Sequence, residues 1–157
     1  RKLVASNYVH VIAADARKPP TSAVFDGVLA DVPCSGTGTL ARNPEIKWRL
    51  KPEDLADLQT RQLDILLAAM QRVSLGGRLI YATCSLEKEE NSDVVVKALS
   101  QNQSFRIDDC QRELEKLRTE GELRWEDINS LTDGPYLRTI PGKHPGDGFF
   151  AVILKKC

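Results

Sequence analysis

The sequence predicts an α/β domain in which helices cover a mostly parallel sheet that ends in an antiparallel hairpin. Short β-rich runs alternate with longer segments of helical periodicity, which is typical of this fold class. The chain then ends in two strand-like runs joined by a loop rich in glycine and proline. A length of 157 residues with 41% hydrophobic content suits one compact domain with a real core.

Three runs are predicted to form the parallel part of the sheet: residues 9–13, 27–30 and 78–82. The first would end at Asp15 and the second at Asp31, while Cys34 and Cys84 follow the second and the third run. In an open α/β sheet, ligands bind beyond the carboxyl ends of the strands. We therefore expect these acids and thiols to converge at one edge of the sheet.

Helices are predicted between these strands. Pro52 suits the first position of a helix. Apolar side chains recur along one face of that helix: Leu55, Leu58, Leu63, Leu66, Leu67, Met70 and Val73. The glycine pair at 76–77 should stop it, and a second helix is expected from Ser85, as its cap, to about Ser100. Residues 108–132 are predicted to form one helix and a loop on the surface.

The end of the chain predicts an antiparallel pair of strands, residues 136–140 and 149–154. The loop between them, residues 141–148, is rich in glycine and proline. His144 lies in this loop, so it is expected to be exposed rather than catalytic.

The composition excludes several classes of protein. The net charge is zero, with 22 basic and 22 acidic residues, so any nucleic-acid site must be local. No run of about eighteen apolar residues exists for a membrane span, and the first residues lack a secretory signal, so a cytoplasmic protein is expected. Four cysteines without close paired spacing fit neither a zinc site nor a dense disulfide framework. We expect reduced thiols and no metal.

Two of the cysteines, Cys34 and Cys84, are placed for chemistry. Either one alone would more often be a packing residue, but two at strand exits favour a shared reactive site. A helix amino terminus next to Ser85 would lower the pKa of the Cys84 thiol. A thiolate, a second thiol and nearby acids suit methylation of carbon 5 of a pyrimidine. A thiolate can add to carbon 6, which makes carbon 5 nucleophilic, and it can later leave.

Four motifs together match a known family: Asp31-Val32-Pro33-Cys34-Ser35-Gly36-Thr37-Gly38, Pro44-Glu45-Ile46-Lys47-Trp48, Tyr81-Ala82-Thr83-Cys84-Ser85 with Glu89-Glu90-Asn91, and Gly146-Asp147-Gly148-Phe149-Phe150. With these motifs the chain resembles the Sun/Fmu-type RNA cytosine-5 methyltransferases. The resemblance implies a Rossmann-like, S-adenosylmethionine-dependent domain that makes 5-methylcytosine.

The resemblance also implies roles for single residues. It implies that Cys84 is the nucleophile and that Cys34 assists product release. It implies that Asp31 contacts the target base and the methyl-donor end of S-adenosylmethionine. Asp15 would bind the adenine portion of the cofactor, and Pro33 would also lie against the cofactor.

A local RNA site is predicted in residues 42–51, which carry four basic residues against one acid. Arg42, Lys47, Trp48 and Arg49 are the candidate RNA contacts, with the tryptophan stacking on a base. Charge alone favours a solvated loop that leads into a helix. The resemblance implies RNA as the partner, with 16S ribosomal RNA as the expected substrate and transfer RNA as an alternative.

The chain lacks the glycine-rich loop, and the acid after it, that the family carries behind its first strand. We therefore expect residues 1–157 to be a single partial domain, the carboxy-terminal portion of the catalytic domain, without the first two strands. Those strands normally lie between the third and fourth, so the sheet would expose edges that invite pairing. Such a fragment is expected to rearrange its strand order or to self-associate, to bind the cofactor weakly or not at all, and to be inactive alone.

Three other interpretations compete with an RNA cytosine-5 methyltransferase. The chain could be a non-catalytic RNA- or protein-binding module that retains the fold. An amino-group methyltransferase typically has Asn/Asp-Pro-Pro-aromatic where this chain has residues 31–34, so Cys34 argues against it. In a DNA cytosine methyltransferase the cysteine of the Pro-Cys motif attacks, and the second motif around Cys84 would have no purpose.

Overall fold

The computed structural model describes residues 9–157. In this part of the chain, six strands form one mixed sheet in the order β1-β2-β6-β5-β4, and β3 also pairs with β6. The strands are β1 (Phe25–Asp31), β2 (Val73–Thr83), β3 (Phe105–Asp108), β4 (Thr132–Asp133), β5 (Tyr136–Thr139) and β6 (Phe149–Lys156). The sheet begins with the parallel pair β1 and β2, and its other pairs are antiparallel. The α/β fold that ends in antiparallel strands is confirmed.

Four helices accompany the sheet in residues 9–157: α1 (Ile46–Arg49), α2 (Pro52–Met70), α3 (Ser92–Gln101) and α4 (Cys110–Thr119). Pro52 is the first residue of α2, as expected, and Asp54 accepts a hydrogen bond from the Lys51 backbone N–H at 2.9 Å. This contact satisfies a backbone donor just before the helix begins. None of the helices described is long and apolar enough to cross a membrane.

The main core lies between the sheet and the helices α2 and α3. Successive side chains of a strand point to opposite faces, so Leu79 and Tyr81 of β2 share one face, and both are fully buried. Leu66 and Met70 of the predicted apolar stripe are also fully buried against this core. Burial of one such side chain contributes about 1.5–3 kcal/mol relative to exposure. This packing fixes α2 against the two parallel strands.

Two of the predicted element boundaries are wrong. α2 ends at Met70, and the glycine pair at 76–77 lies inside β2, which begins at Val73 and not at residue 78. The chain has already turned at residues 71–72, where the Arg72 carbonyl accepts a hydrogen bond from the Phe25 N–H at 2.7 Å. Pairing with β1 therefore starts the strand before the glycines are reached.

The helix expected from Ser85 begins only at Ser92. Residues 85–87 form a loop, and a 3-10 turn follows at Lys88–Glu90. The Ser85 hydroxyl does not cap a helix. It accepts from the Glu87 N–H at 3.0 Å within the loop and donates to the Glu90 carboxylate, so it serves the loop and the buried acid together.

The strand expected at residues 9–13 is absent from the structure, where these residues form no regular element. Val11 is 94% exposed, and no described strand pairs with them, so nothing stabilises an extended conformation there. Among the strands that the structure describes, β1 pairs only with β2, and Leu29 of β1 is 68% exposed. β1 pairs directly with β2, so the described strands form one sheet without the change of strand order that was expected. Self-association of the chain stays a prediction.

Between α3 and α4 the structure adds a strand that the sequence did not indicate, β3. Its four residues include the buried Phe105 and pair with the end of β6. The helix expected in residues 108–132 is observed as α4, and the strands expected near the end of the chain are observed as β5 and β6. β6 lies inside the sheet, between β2 on one side and β3 and β5 on the other.

Candidate active site

The two candidate thiols meet at the carboxyl ends of the parallel strands. Asp31 at the end of β1 is level with Ala82 near the end of β2, and the Val32 N–H donates to the Ala82 carbonyl at 3.1 Å. The loops that leave these strands therefore run side by side. They bring Cys34 Sγ to 3.2 Å from Cys84 Sγ. The two thiols thus share one site, as the strand-exit positions predicted.

The environment of the Cys34 thiol favours its protonated form. Burial, followed by the hydrogen bond with Cys84, raises the pKa of Cys34 to about 12. Cys34 therefore keeps its proton at neutral pH and can donate a hydrogen bond to the Cys84 sulfur. The helix that was expected to begin next to Cys84 begins only at Ser92.

Behind the thiols lies the buried carboxylate of Glu90, a residue of the third motif to which the sequence assigned no role of its own. Ser35 and Ser85 follow the two cysteines in the chain, and both donate their hydroxyls to Glu90 Oε2 at 2.5 Å. Glu90 has no exposed surface. The sequence gives little sign that this acid is buried rather than exposed to solvent. The one available signal is that a serine, a possible hydrogen-bond donor, follows each cysteine.

The Thr-Cys-Ser segment is clamped by Asn91. Its side-chain amide donates to the Ser85 carbonyl at 2.9 Å, and its Oδ1 accepts from the Thr83 hydroxyl at 2.6 Å. The Ser85 N–H in turn donates to Thr83 Oγ1 at 3.2 Å. These contacts hold the backbone on both sides of Cys84.

A close approach of three backbones joins three of the motifs. The Gly38 N–H donates to the Cys84 carbonyl at 2.9 Å, and the Gly148 N–H donates to the Gly38 carbonyl at 2.8 Å. A Cβ on Gly38 would lie 2.2 Å from the Gly148 oxygen and 2.8 Å from the Cys84 oxygen. Only glycine fits at this position.

The two predicted acids are exposed. Asp31 lies at the end of β1, three residues before Cys34. Asp15 forms a bidentate ion pair with Arg17, in which Nη2 is 2.7 Å from Oδ2, and the hydrogen bonds from Arg17 lower the pKa of Asp15 to about 2. Asp15 and Pro33 line one cavity of about 330 Å³.

The basic segment predicted to bind RNA lies next to the thiols. A cavity of about 320 Å³ is lined by Cys34, the buried Ile46 and Arg49. Trp48 is 84% exposed, with Lys47 Nζ 5.5 Å from its ring centre, so it does not cover the helix that follows. Arg42 is paired with Asp147, a residue of the fourth motif.

The prediction that His144 is exposed is wrong, because only 5% of its surface is accessible. Its Nδ1 accepts from the Ile140 N–H at 2.9 Å, and its Nε2 is 2.7 Å from the Ser130 carbonyl, to which it donates. His144 therefore fastens the loop between β5 and β6 to the 3-10 turn at Ile128–Leu131. Its role in this structure is to hold that loop.

Comparison with known proteins identifies the family. A model of the family described as 16S rRNA methyltransferase RsmB/F matches residues 2–155. The chain belongs to the RsmB/F methyltransferase family. Its motifs around Cys34 and Cys84 are therefore parts of an RsmB/F domain.

Curated relatives of this RsmB/F chain include the probable ribosomal RNA small subunit methyltransferase B of Synechocystis sp., which is 39% identical over 88% of the chain and 29% of the relative. Ribosomal RNA small subunit methyltransferase B of Salmonella agona is 35% identical over 84% of the chain and 27% of the relative. Ribosomal RNA small subunit methyltransferase B of Cronobacter sakazakii is 35% identical over 93% of the chain and 30% of the relative. The chain spans less than a third of the length of these relatives.

Solved structures share the fold of the RsmB/F chain. The crystal structure of PH0851 matches 92% of the chain and 30% of that protein, with a TM-score of 0.76 and 31% identity. A methyltransferase homolog protein from Pyrococcus horikoshii matches 86% of the chain and 40% of that protein, with a TM-score of 0.60 and 27% identity. NSun6 from Pyrococcus horikoshii, solved with SFG, matches 92% of the chain and 34% of that protein, with a TM-score of 0.69 and 24% identity.

Proposed function

We propose that the chain is part of an enzyme that uses S-adenosylmethionine to methylate carbon 5 of cytosine in RNA, with 16S ribosomal RNA as the substrate. The observation that carries this proposal is the pair of thiols 3.2 Å apart at the ends of two adjacent parallel strands. Family membership and the names of the curated relatives support a ribosomal RNA substrate. The activity is proposed for the full-length protein, because the chain spans only part of its relatives.

The two thiols suit the addition and the elimination that carbon-5 chemistry requires. Cys84 as a thiolate adds to carbon 6 of the ring, so a covalent bond joins its sulfur to the cytosine and carbon 5 becomes nucleophilic. S-adenosylmethionine, when bound, supplies a methyl group carried on a positively charged sulfur. Asp31, exposed at the end of β1, is proposed to hydrogen-bond the ring as charge shifts onto it.

Release of the product is the step in which Cys34 acts. A base takes the proton from carbon 5, the electron pair of that bond forms the double bond to carbon 6, and Cys84 leaves with the pair of its carbon–sulfur bond. Cys34 keeps its own proton, since its pKa is raised to about 12. A hydrogen bond from Cys34 across 3.2 Å therefore stabilises the departing sulfur anion.

The cavity beside these loops fits part of a nucleoside. It is lined by the Asp15 carboxylate, by the Pro33 ring and by the apolar side chains of Ala14 and Ile65. The low pKa of Asp15, about 2, keeps its carboxylate ionised as a hydrogen-bond acceptor for an amino group. Asp15 and Pro33 are proposed to hold the adenosine end of the cofactor, and Asp31 its methyl-donor end.

The RNA strand is proposed to run over the basic segment between β1 and α2. Trp48 offers an exposed ring on which a base can stack, and Arg49 lines the cavity next to Cys34. Lys47 and Arg42 are proposed to bind phosphates of the flanking nucleotides. Their proximity to Cys34 supports a role in presenting the target base.

The identity of the methylated nucleoside tests this proposal. Full-length protein is incubated with methyl-labelled S-adenosylmethionine and 16S ribosomal RNA, and the RNA is digested to nucleosides for mass spectrometry. We expect 5-methylcytidine, with the rate lowered at least about 1,000-fold by Cys84→Ala. Cys157→Ala, which removes an exposed cysteine outside the site, should leave the rate unchanged.

Two other results would contradict the proposal. Label on an exocyclic amino group would assign the domain to the amino-group methyltransferases. RNA binding without any label would make it a non-catalytic binding module that retains the fold.

A further inference from the structure

Glu90 carries a buried carboxylate that connects the two cysteine loops. It belongs to the 3-10 turn Lys88–Glu90 and is completely inaccessible to solvent. We propose that Glu90 is a positioning residue whose carboxylate holds Cys34 and Cys84 at the separation that the reaction needs. The catalytic consequence rests on the proposed function, but the positioning itself is a property of the fold.

Four donors from three segments converge on this carboxylate. Ser35 donates twice, from its backbone N–H to Oε1 at 2.8 Å and from its hydroxyl to Oε2 at 2.5 Å. Ser85 donates its hydroxyl to Oε2 at 2.5 Å. Gln62 of α2 donates to Oε1 at 2.8 Å and, with the same amide nitrogen, to the Pro33 carbonyl at 2.9 Å.

The donors are the immediate neighbours of the two thiols. Ser35 follows Cys34 in the chain, and Ser85 follows Cys84, so each serine fixes the backbone next to a reactive sulfur. The two serine hydroxyls are also only 3.1 Å apart, because they share one carboxylate oxygen. One carboxylate therefore ties both loops together at the residues that follow the thiols, in addition to the backbone hydrogen bond from Gly38 to Cys84.

The backbone of Glu90 is itself anchored to the sheet. The Tyr81 hydroxyl, near the end of β2, donates to the Glu90 backbone carbonyl at 2.6 Å. A buried carboxylate is costly unless hydrogen bonds compensate its lost hydration. Here the compensation comes from the cysteine loops and α2, so the loops cannot separate without leaving the charge unsatisfied.

A purely structural acid would affect stability alone, whereas a positioning residue controls the approach of the two sulfurs. The approach can be measured without any catalysis, because a thiol oxidant such as diamide links two adjacent thiols. Diamide takes up two electrons and the two thiol protons, becoming a hydrazine, while Cys34 and Cys84 form one sulfur–sulfur bond. The rate of this reaction reports how often the sulfurs meet.

The experiment compares variants of the full-length protein. Glu90→Ala removes the carboxylate, and Glu90→Gln keeps its shape and one carbonyl oxygen. Glu89→Ala is the matched control, since Glu89 is the same residue type one position earlier, with an exposed side chain. Disulfide formation by diamide is followed by mass spectrometry, and kcat and KM for RNA methylation are measured in parallel.

We expect Glu90→Ala to slow disulfide formation by about tenfold or more and to lower kcat by about 100-fold, because a displacement of about 1 Å in a reacting group has an effect of this size. KM for RNA should change by less than about threefold, since Glu90 does not contact the substrate. Glu90→Gln should recover most of both rates, and Glu89→Ala should match the unchanged protein.

If Glu90→Ala fails to fold, Ser35→Ala decides the question. It removes one of the four donors and leaves the carboxylate in place, and about a threefold slowing of disulfide formation is expected from the loss of one hydrogen bond.

Unchanged disulfide rates in folded Glu90→Ala, or in Ser35→Ala where Glu90→Ala does not fold, would overturn the positioning role. Failure of the proposed function would look different. In that case even the unchanged protein would not form 5-methylcytidine, while the disulfide rates would still separate Glu90→Ala from Glu89→Ala.

Discussion

Replacement of Gly38 by alanine tests how the backbone supports Cys84. The new Cβ would lie 2.2 Å from the Gly148 oxygen, 2.7 Å from the Gly148 carbonyl carbon and 2.8 Å from the Cys84 oxygen. Carbon contacts are ordinarily about 3.5 Å or longer, so one of the backbones must move by about 1 Å. No flexible side chain is present among these three contacts to absorb the shift.

The expected loss in the free energy of unfolding follows from the hydrogen bonds that this shift would break. The hydrogen bonds from Gly38 to Cys84 and from Gly148 to Gly38, at 2.9 and 2.8 Å, would both lengthen beyond a useful distance. Each contributes about 1 kcal/mol, and overpacking adds about 1–3 kcal/mol. We expect Gly38→Ala to lower the free energy of unfolding by about 3–5 kcal/mol.

Chemical denaturation of the full-length protein measures this change, and methylation assays show whether Cys84 is displaced. Gly27→Ala is the matched control, because nothing lies within 4 Å of a Cβ there. It should change stability by less than about 0.5 kcal/mol. If Gly38→Ala behaves like Gly27→Ala, the three backbones are not packed as described.

Four further predictions concern Cys34, Trp48 and His144. Since the pKa of Cys34 is about 12, Cys34 should react with iodoacetamide at pH 9 at least about 100-fold more slowly than the exposed Cys157, as measured by mass spectrometry. The same shift should lower stability as the pH rises from 9 towards 12, because the unfolded thiol ionises first. Trp48→Ala should raise KM for RNA by about tenfold through lost stacking and leave the unfolding midpoint in place. His144→Ala should lower the free energy of unfolding by about 1–3 kcal/mol, because two hydrogen bonds are lost, with kcat nearly unchanged.

The sequence predicted the elements that bring the thiols together. Cys34 and Cys84 follow strand-like runs, and the carboxyl ends of parallel neighbours meet at one edge of a sheet. The antiparallel end was also predictable, because residues 136–140 and 149–154 are β-rich and separated by a turn-forming loop. The local sequence pattern was sufficient to predict these elements, because the tertiary contacts favour the same strands and turn.

Other features depend on contacts that no local pattern reveals. Residues 9–13 have strand propensity but pair with none of the strands described in residues 9–157, and β3 is too short to show a period. Ser85 has the chemistry of a helix cap, yet its hydroxyl binds Glu90 instead. An acid such as Glu90 is expected at the surface, and only the converging donors explain why it is buried.

Cys84 is proposed to attack the base and Cys34 to assist its release, and trapping of the covalent intermediate tests these roles most directly. Full-length protein, Cys34→Ala, Cys84→Ala and the double variant are each incubated with S-adenosylmethionine and 16S ribosomal RNA, then separated on a denaturing gel. We expect a denaturant-resistant protein–RNA adduct to accumulate only in Cys34→Ala, since the attacking sulfur is present and its release is impaired. An adduct in Cys84→Ala, or methylation that neither substitution changes, would contradict the assigned roles.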